Sequence, residues 1–188
     1  MNKWIMAGTA AAFTGAAAFA RSEYERTHLD VVHYDIKTDK LGLEWNGFKA
    51  VFLSDLHDNS FGMENEELIA AIEKEQPDIV LIGGDMLVVK EWAAPHFDML
   101  ANLYEKLVER YPVYYAFGNH EQRMKEEPLT YSGWWQSYWK VLKDSGMHVL
   151  VNKSEEIIKN GTAMRISGIT LPRECYRKGR IPSLSAGY

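Results

Sequence analysis

Three short apolar runs, each followed at once by a polar cluster, constrain the fold of this chain more than any other sequence feature. The runs lie at 49–54, 78–82 and 113–117. Short continuous apolar runs are typical of strands buried on both faces of a sheet. Residues 64–75 and 97–108 lie between them and carry apolar side chains at helical spacing. This alternation predicts an α/β domain with a parallel sheet and right-handed crossovers.

Further elements are predicted on both sides of this unit. Val31–Ile36 has strand character, residues 134–143 indicate a helix, and residues 147–151 indicate another strand. Near the end of the chain, Asn160-Gly161 stands between two short alternating segments, which is a strong signal for a β-hairpin.

Composition narrows the functional classes. The 188 residues are 46% hydrophobic and 25% charged, as expected of a globular protein. The formal charge is −5, so the chain lacks the basic field that binds a nucleic-acid backbone, and we expect no nucleic-acid partner. The single cysteine, Cys175, excludes an internal disulfide and a cysteine-based metal cluster. Any metal ion must therefore be held by Asp, Asn and His.

The amino terminus predicts export or membrane attachment. Lys3 precedes an uncharged, alanine-rich stretch over 4–20, and small residues stand before Arg21. Its length leaves a cleaved signal peptide and a retained membrane anchor both open, with a buried or amphipathic helix as the alternative. The predicted location is the cell membrane or the extracytoplasmic space. The predicted organisation is a signal peptide or anchor over 1–21, a connector over 22–30, a folded domain over 31–172 and an irregular tail over 173–188.

The polar clusters carry the functional signal. They are Ser54-Asp55-Leu56-His57, Gly83-Gly84-Asp85 and Gly118-Asn119-His120-Glu121. The carboxyl ends of parallel strands meet at one edge of a sheet, so these clusters are expected to meet there. Asp55 and His57 point the same way if the strand end is extended, and the two glycines leave room for a metal beside the backbone.

The ligand types in these clusters predict a divalent metal site. Carboxylate, amide and imidazole groups without thiolates favour Mn, Fe, Zn, Co or Mg and do not select among them. A carboxylate such as Asp85 can bridge two cations about 3.5–4 Å apart, the arrangement of two-metal phosphoryl-transfer sites. The residues therefore indicate metal-assisted hydrolysis.

The order Asp-x-His, Gly-Asp, Gly-Asn-His-Glu, each after a buried strand, resembles the calcineurin-like metallophosphoesterase superfamily over roughly Lys49 to Pro172. The resemblance implies an α/β/β/α sandwich, here incomplete at its C-terminus. The N-terminal segment and the Phe61-Gly62 pair are similar to a small bacterial membrane-associated branch that includes UDP-diacylglucosamine pyrophosphohydrolases.

The resemblance also implies a role for each matching residue. Asp55 and His57 would bind a first divalent ion, Asp85 would bridge two ions, and Asn119 would bind the second. His120 matches the catalytic histidine beside the leaving group, and Glu121 is expected to support it. The implied reaction is hydrolysis of a phosphomonoester or phosphodiester by a metal-bridging hydroxide, with a phospholipid or nucleotide-lipid headgroup as one candidate substrate.

The absence of the superfamily's later ligands leaves a second hypothesis open. The later ligands of the superfamily, a lone histidine and a Gly-His-x-His motif, have no counterpart before Tyr188, and His148 is interpreted as an ordinary strand residue. The chain is thus expected to be the amino-terminal part of a longer enzyme, or an inactive metal- or lipid-binding remnant of one. A Rossmann-type nucleotide site is excluded, because no Gly-x-Gly-x-x-Gly motif opens a helix.

One helix carries an aromatic stripe, formed by Trp134, Trp135, Tyr138 and Trp139. Such a stripe suits either core packing or a membrane interface. Core packing is the favoured interpretation.

Overall fold

A computed structural model describes residues 14–24, 27–131, 133–171 and 173–176. Its helices are α1 (14–24), α2 (Glu66–Glu75), α3 (Phe97–Val108), α4 (Asn119–Glu126) and α5 (Trp134–Asp144). Its strands are β1 (Ala50–Leu53), β2 (Ile79–Ile82), β3 (Val113–Tyr115), β4 (His148–Val149), β5 (Lys153–Lys159) and β6 (Thr162–Gly168). Short 3₁₀ helices cover Leu43–Trp45, Met63–Asn65 and Arg173–Tyr176.

The first four strands form a parallel sheet in the order β1-β2-β3-β4. Leu53 is paired with Ile82, and Ile82 with Tyr115, so the first three strands end at the same level of the sheet. Helices connect each strand to the next, as a parallel sheet requires. The predicted α/β class is confirmed, and the polar residues after β1, β2 and β3 share one edge.

The side chains of each strand alternate between two environments. Val80, Ile82 and Tyr115 point into the main core, where the apolar faces of α2, α3 and α5 pack against them. Ile79 and Tyr114 point to the other side of the sheet, into a smaller cluster with Leu150. The helices therefore cover one face of the sheet, and this layer holds the residues at the strand ends in place.

A β-hairpin packs on the second face. β5 and β6 pair antiparallel from Lys153 and Gly168 to Lys159 and Thr162, and Ile157 and Ile166 contact the smaller cluster. Asn160 and Gly161 both have positive φ, at 49° and 83°, as a two-residue type I′ turn requires. The predicted hairpin is confirmed.

Two predictions fail because strand pairing and the order of strands in the sheet cannot be read from a local pattern. Val31–Ile36 forms no strand, because no described strand pairs with it. β1 is not buried on both faces, since it is an edge strand and its Phe52 is 67% exposed. A run of apolar residues does not reveal whether a strand is central or peripheral.

The ends of the chain are described only in part. Residues 1–13 of the signal peptide or anchor predicted over 1–21 lie outside the described residues. The rest of that segment belongs to helix α1, which continues into the predicted connector. Among the described residues, no helix is long and apolar enough to cross a membrane. The predicted tail begins with the 3₁₀ helix Arg173–Tyr176, and the remainder of it is outside the described part.

The aromatic stripe of α5 packs within the fold. Tyr138 is fully buried, and Trp135 stacks on Trp139 with ring centroids 5.5 Å apart. Both indole rings lie edge-on against Phe117, which follows β3. Core packing, the favoured interpretation, therefore agrees with these contacts.

Candidate metal centre

The loop after β1 has a left-handed backbone at three positions. The φ angles are 58° at Asp55, 54° at His57 and 58° at Asp58, so the expectation of an extended strand end is wrong. Asp, Asn and His tolerate this region better than other side chains, but each residue still costs on the order of 1 kcal/mol. The two side chains nevertheless meet, with His57 Nε2 lying 3.5 Å from Asp55 Oδ1.

Backbone hydrogen bonds to the loop after β2 hold this conformation. The N–H groups of Asp55, His57 and Asp58 donate to the carbonyl oxygens of Gly84, Asp85 and Met86, each at 3.1 Å. The β1 and β2 loops therefore run side by side, as a continuation of the sheet. Asp85 also has a left-handed backbone, with φ of 52°. Such conformations persist only where the surroundings fix them, and they concentrate at functional sites.

Asp85 connects the β2 loop to the start of α4. The residue is 9% exposed, and its carboxylate accepts hydrogen bonds from the backbone N–H of His120 at 2.8 Å and from the Asn119 side-chain amide at 3.2 Å. Asn119 and His120 form the first turn of α4, a helix that the sequence pattern does not predict. The carboxylate thus lies at the positive end of the helix dipole.

The expected ligands come together at the carboxyl edge of the sheet. One ligand atom from each of Asp55, His57 and Asp85 lies within 4.8 Å of the other two. Asn119 joins this group through its bond to Asp85, and the ring of His120 is 5.1 Å from that of His57. His148 lies elsewhere, stacked on Tyr114 and paired with Glu155 at 2.7 Å, in agreement with its interpretation as a strand residue.

One hydrogen bond fixes the tautomer of the neutral His120 ring. The backbone N–H of Val89 donates to its Nδ1 at 3.0 Å, so the neutral ring carries its proton on Nε2. Burial lowers the pKa of His120, and the positive charges of His57 and Arg123 add to this effect, whereas Asp85 opposes it. The ring is therefore held mainly neutral near pH 7, with one N–H to donate.

Glu121, which is expected to support His120, is held by three backbone N–H groups and one tyrosine hydroxyl. Its buried carboxylate accepts backbone N–H groups from Asp85, Met86 and Gly118 at 2.9–3.1 Å and the Tyr115 hydroxyl at 2.8 Å. The hydrogen bond from the Gly118 N–H to the Glu121 carboxylate is the one by which the third residue of a helix caps the N–H group of the residue just before the helix, as in a capping box, at the start of α4. Burial raises the pKa of Glu121, and the hydrogen bonds from Asp85 and Tyr115 oppose this shift. Glu121 thus fixes the two loops that carry Asp85 and Asn119.

A chain of buried tyrosines leads from the core to Glu121. The Tyr115 hydroxyl donates its only proton to Glu121, so the Tyr138 hydroxyl donates to Tyr115 at 2.6 Å and that of Tyr104 to Tyr138 at 2.8 Å. All three tyrosines are fully buried. They connect α3 and α5 to the centre, and sequence patterns identify them only as apolar positions.

Gly84 allows the β2 and β3 loops to touch. Its φ is +89°, and a Cβ atom there would lie 1.9 Å from the backbone nitrogen of Gly118. The space left by the missing side chain is therefore filled by the neighbouring loop, not left open for a metal as expected.

Asp58 is a residue that the sequence analysis missed. Its carboxylate accepts the backbone N–H of Val88 at 2.8 Å and that of His96 at 3.2 Å, which ties the loop before α3 to the centre. Its position directly after the Asp-x-His motif is the sequence feature that could have identified it.

The donor set fits a divalent cation. Two ligands of one ion, each about 2.1 Å from it, lie at most about 4.2 Å apart, and the 4.8 Å spread of Asp55, His57 and Asp85 is close to this limit. Carboxylate oxygens, imidazole nitrogen and the neighbouring amide of Asn119 are ligands for hard or borderline ions.

Comparison with known proteins agrees with this chemistry. Residues 48–181 match the calcineurin-like phosphoesterase family. The chain is 32% identical over 117 residues to the uncharacterized metallophosphoesterase YkoQ of Bacillus subtilis, a match that covers 62% of this chain and 41% of that protein. It is 29% identical over 113 residues to the phosphodiesterase YaeI of Escherichia coli, covering 58% and 38%. The chain thus corresponds to about two fifths of each relative. With its motifs gathered at one edge of the sheet and most of its length matched, the chain belongs to the calcineurin-like phosphoesterase family.

Proposed function

We propose that this protein hydrolyses a phosphomonoester or phosphodiester with the help of two divalent cations. The observation that carries the proposal is the convergence of Asp55, His57 and Asp85 at the sheet edge, with Asn119 bonded to Asp85. Asp55 and His57 would hold the first ion, Asp85 would contribute to both, and Asn119 would hold the second. When bound, divalent ions in such sites polarise phosphoryl oxygens and lower the pKa of water.

The residues of the chain supply orientation and a proton. Glu121 fixes the loops of Asp85 and Asn119 through four accepted hydrogen bonds, so the ligands are arranged before substrate arrives. His120, with its proton on Nε2, donates that proton to the leaving-group oxygen. Val89 keeps this tautomer by donating to Nδ1.

The test is release of p-nitrophenol from p-nitrophenyl phosphate and bis(p-nitrophenyl) phosphate by the purified chain with Mn²⁺ or Co²⁺. Asp85→Asn should lower the rate by more than the 10- to 100-fold loss that is typical when a supporting residue of a metal site is removed. Asp144→Asn, at the far end of α5, is the matched control and should keep the wild-type rate. Full activity of Asp85→Asn would refute the proposal.

The finer proposal is that the substrate is a lipid headgroup and that the protein works at the outer face of the cell membrane. The uncharged stretch over 4–20, with Arg21 after it, supports this location. Cell fractionation of the tagged protein, with sequencing of its mature amino terminus, tests it. Recovery of an uncleaved protein in the cytoplasmic fraction would contradict the proposed location. Equal rates of hydrolysis of lipid and water-soluble phosphodiesters would contradict the proposed lipid substrate.

A further inference from the structure

A polar cavity of about 240 Å³ opens beside the candidate metal centre. Its lining comes from one face of α4 and from the 3₁₀ helix near the end of the described chain, and comprises Asn119, Gln122, Arg123, Glu126 and Tyr176. The four helix residues follow at intervals of three, one and three, which is the spacing of neighbours on one helix face. Because Asn119 belongs to the metal centre, a group bound to a phosphate there reaches this cavity directly.

Arg123 is the cation among the described residues that line this cavity. Its guanidinium takes part in no ion pair among the described residues, and its charge is close enough to His120 to favour the neutral ring. Guanidinium groups bind phosphate oxygens through two parallel N–H donors. Arg123 is therefore placed to hold a phosphate oxygen on the His120 side of the cavity.

The next turn of α4 offers acceptors instead of a second cation. Gln122 Nε2 donates to Glu126 Oε1 at 2.7 Å, which leaves the second Glu126 oxygen to accept hydrogen bonds. The Gln122 amide oxygen is buried and has no hydrogen-bond partner within the described structure, so of these two residues it is the exposed Glu126 that can accept from a ligand. The Glu126 carboxylate repels a further anion in this cavity and attracts hydroxyl groups, which donate to it.

Tyr176 closes the other side. Its ring is 45% exposed, and burial, with added effects of nearby negative charges including that of Asp85, raises the pKa of its hydroxyl. The phenol thus stays protonated and presents both an apolar ring and a donor. An aromatic ring facing a carboxylate and an amide suits a compact group that has a carbon face and several hydroxyls.

We propose that this cavity binds the alcohol part of the phosphoester and that this part is a polyhydroxylated group such as glycerol or a sugar. Arg123 holds an oxygen of the single phosphate, Glu126 accepts the hydroxyls while Gln122 orients its carboxylate, and the ring of Tyr176 packs against the carbon face. The assignment rests on the proposed phosphoesterase function and specifies its substrate class.

The experiment compares glycerol 3-phosphate, which is the 2,3-dihydroxypropyl ester, with propyl phosphate of the same carbon length, by the release of inorganic phosphate with Mn²⁺ and the full chain. The wild-type kcat/KM should favour the dihydroxypropyl ester about tenfold, as expected for one or two hydrogen bonds of about 1 kcal/mol each. Glu126→Gln should reduce this ratio to a value between about one and about three. Arg123→Gln should lower kcat/KM for both esters by similar factors. Glu105→Gln, on the exposed side of α3, is the matched control and should leave the ratio unchanged.

A binding measurement keeps the proposal testable without turnover. In saturation-transfer NMR with Mg²⁺, glycerol 3-phosphate should receive more saturation than propyl phosphate, and Glu126→Gln should abolish the difference. A wild-type ratio near one, or a ratio that Glu126→Gln leaves unchanged, would overturn the polyol subsite while the phosphoesterase function stands. If neither ester is cleaved, the proposed function fails, and the NMR comparison alone decides on the cavity.

Discussion

Gly84→Ala tests the contact between the β2 and β3 loops on which the centre depends. The Cβ of alanine would lie 1.9 Å from the nitrogen of Gly118 and 2.6 Å from the carbonyl carbon of Phe117. Contacts below 3.0 Å do not occur for real Cβ atoms, so one loop must move by at least about 1.1 Å. Both neighbours are backbone, and no side chain can rotate away to relieve the contact.

The expected cost follows from three contributions. The φ of +89° disfavours alanine by about 1 kcal/mol, and forcing the loops apart costs about 1–3 kcal/mol. The displacement also weakens the buried bonds from Asp85 and Gly118 to Glu121, at about 1–3 kcal/mol for each donor left without an acceptor. The free energy of unfolding should therefore fall by about 4–10 kcal/mol.

Gly161→Ala is the matched control. Its φ is +83°, nearly the same, but nothing lies within 4 Å of the new Cβ. It should lower the free energy of unfolding by only about 1 kcal/mol. Urea unfolding followed by tryptophan fluorescence measures both variants. If Gly84→Ala costs no more than Gly161→Ala, the loops do not touch as described and the explanation of the centre's geometry is wrong.

Two further predictions concern the buried network behind the centre. Glu121→Gln should lower the free energy of unfolding by about 2–5 kcal/mol, because one amide oxygen replaces two carboxylate oxygens that accept four hydrogen bonds. A loss below about 1 kcal/mol in urea unfolding would contradict this prediction. Tyr138→Phe interrupts the row of hydroxyl hydrogen bonds between Tyr104 and Tyr115 and should lower the free energy of unfolding by about 1–3 kcal/mol. Tyr34→Phe, at a residue that is 83% exposed, is the control and should change it by no more than about 0.5 kcal/mol. Equal effects of the two variants in the same assay would contradict the hydrogen bonds between the tyrosines.

The sequence predicts the parts of the fold that depend on local pattern. α3 begins at Phe97 and ends at Val108 as its apolar spacing indicates, and the Asn160-Gly161 turn lies where its dipeptide places it. The gathering of Asp55 and Asp85 at one edge also follows from sequence, because parallel strands with polar residues at their ends leave few alternatives.

Other features depend on contacts between distant parts of the chain. α4 was missed because Met124 is its one buried apolar side chain, so helical periodicity is absent, although Glu121 three residues after Gly118 was a capping signal. The left-handed backbone at His57 is fixed by its bond to the Asp85 carbonyl, which no local pattern reveals. The edge position of β1 depends likewise on the order of strands in the sheet.

Calorimetric titration of Mn²⁺ into the full chain tests the central claim most directly. Wild-type protein should bind the ion, Asp85→Asn should lose most of the affinity, and His57→Asn should weaken binding at least about tenfold while tolerating the same backbone conformation. His148→Asn, which changes a histidine on β4 that pairs with Glu155, should bind Mn²⁺ as the wild type does. Unchanged binding by Asp85→Asn, or equal losses for the two histidine variants, would show that the ion is not held where the three strand ends meet.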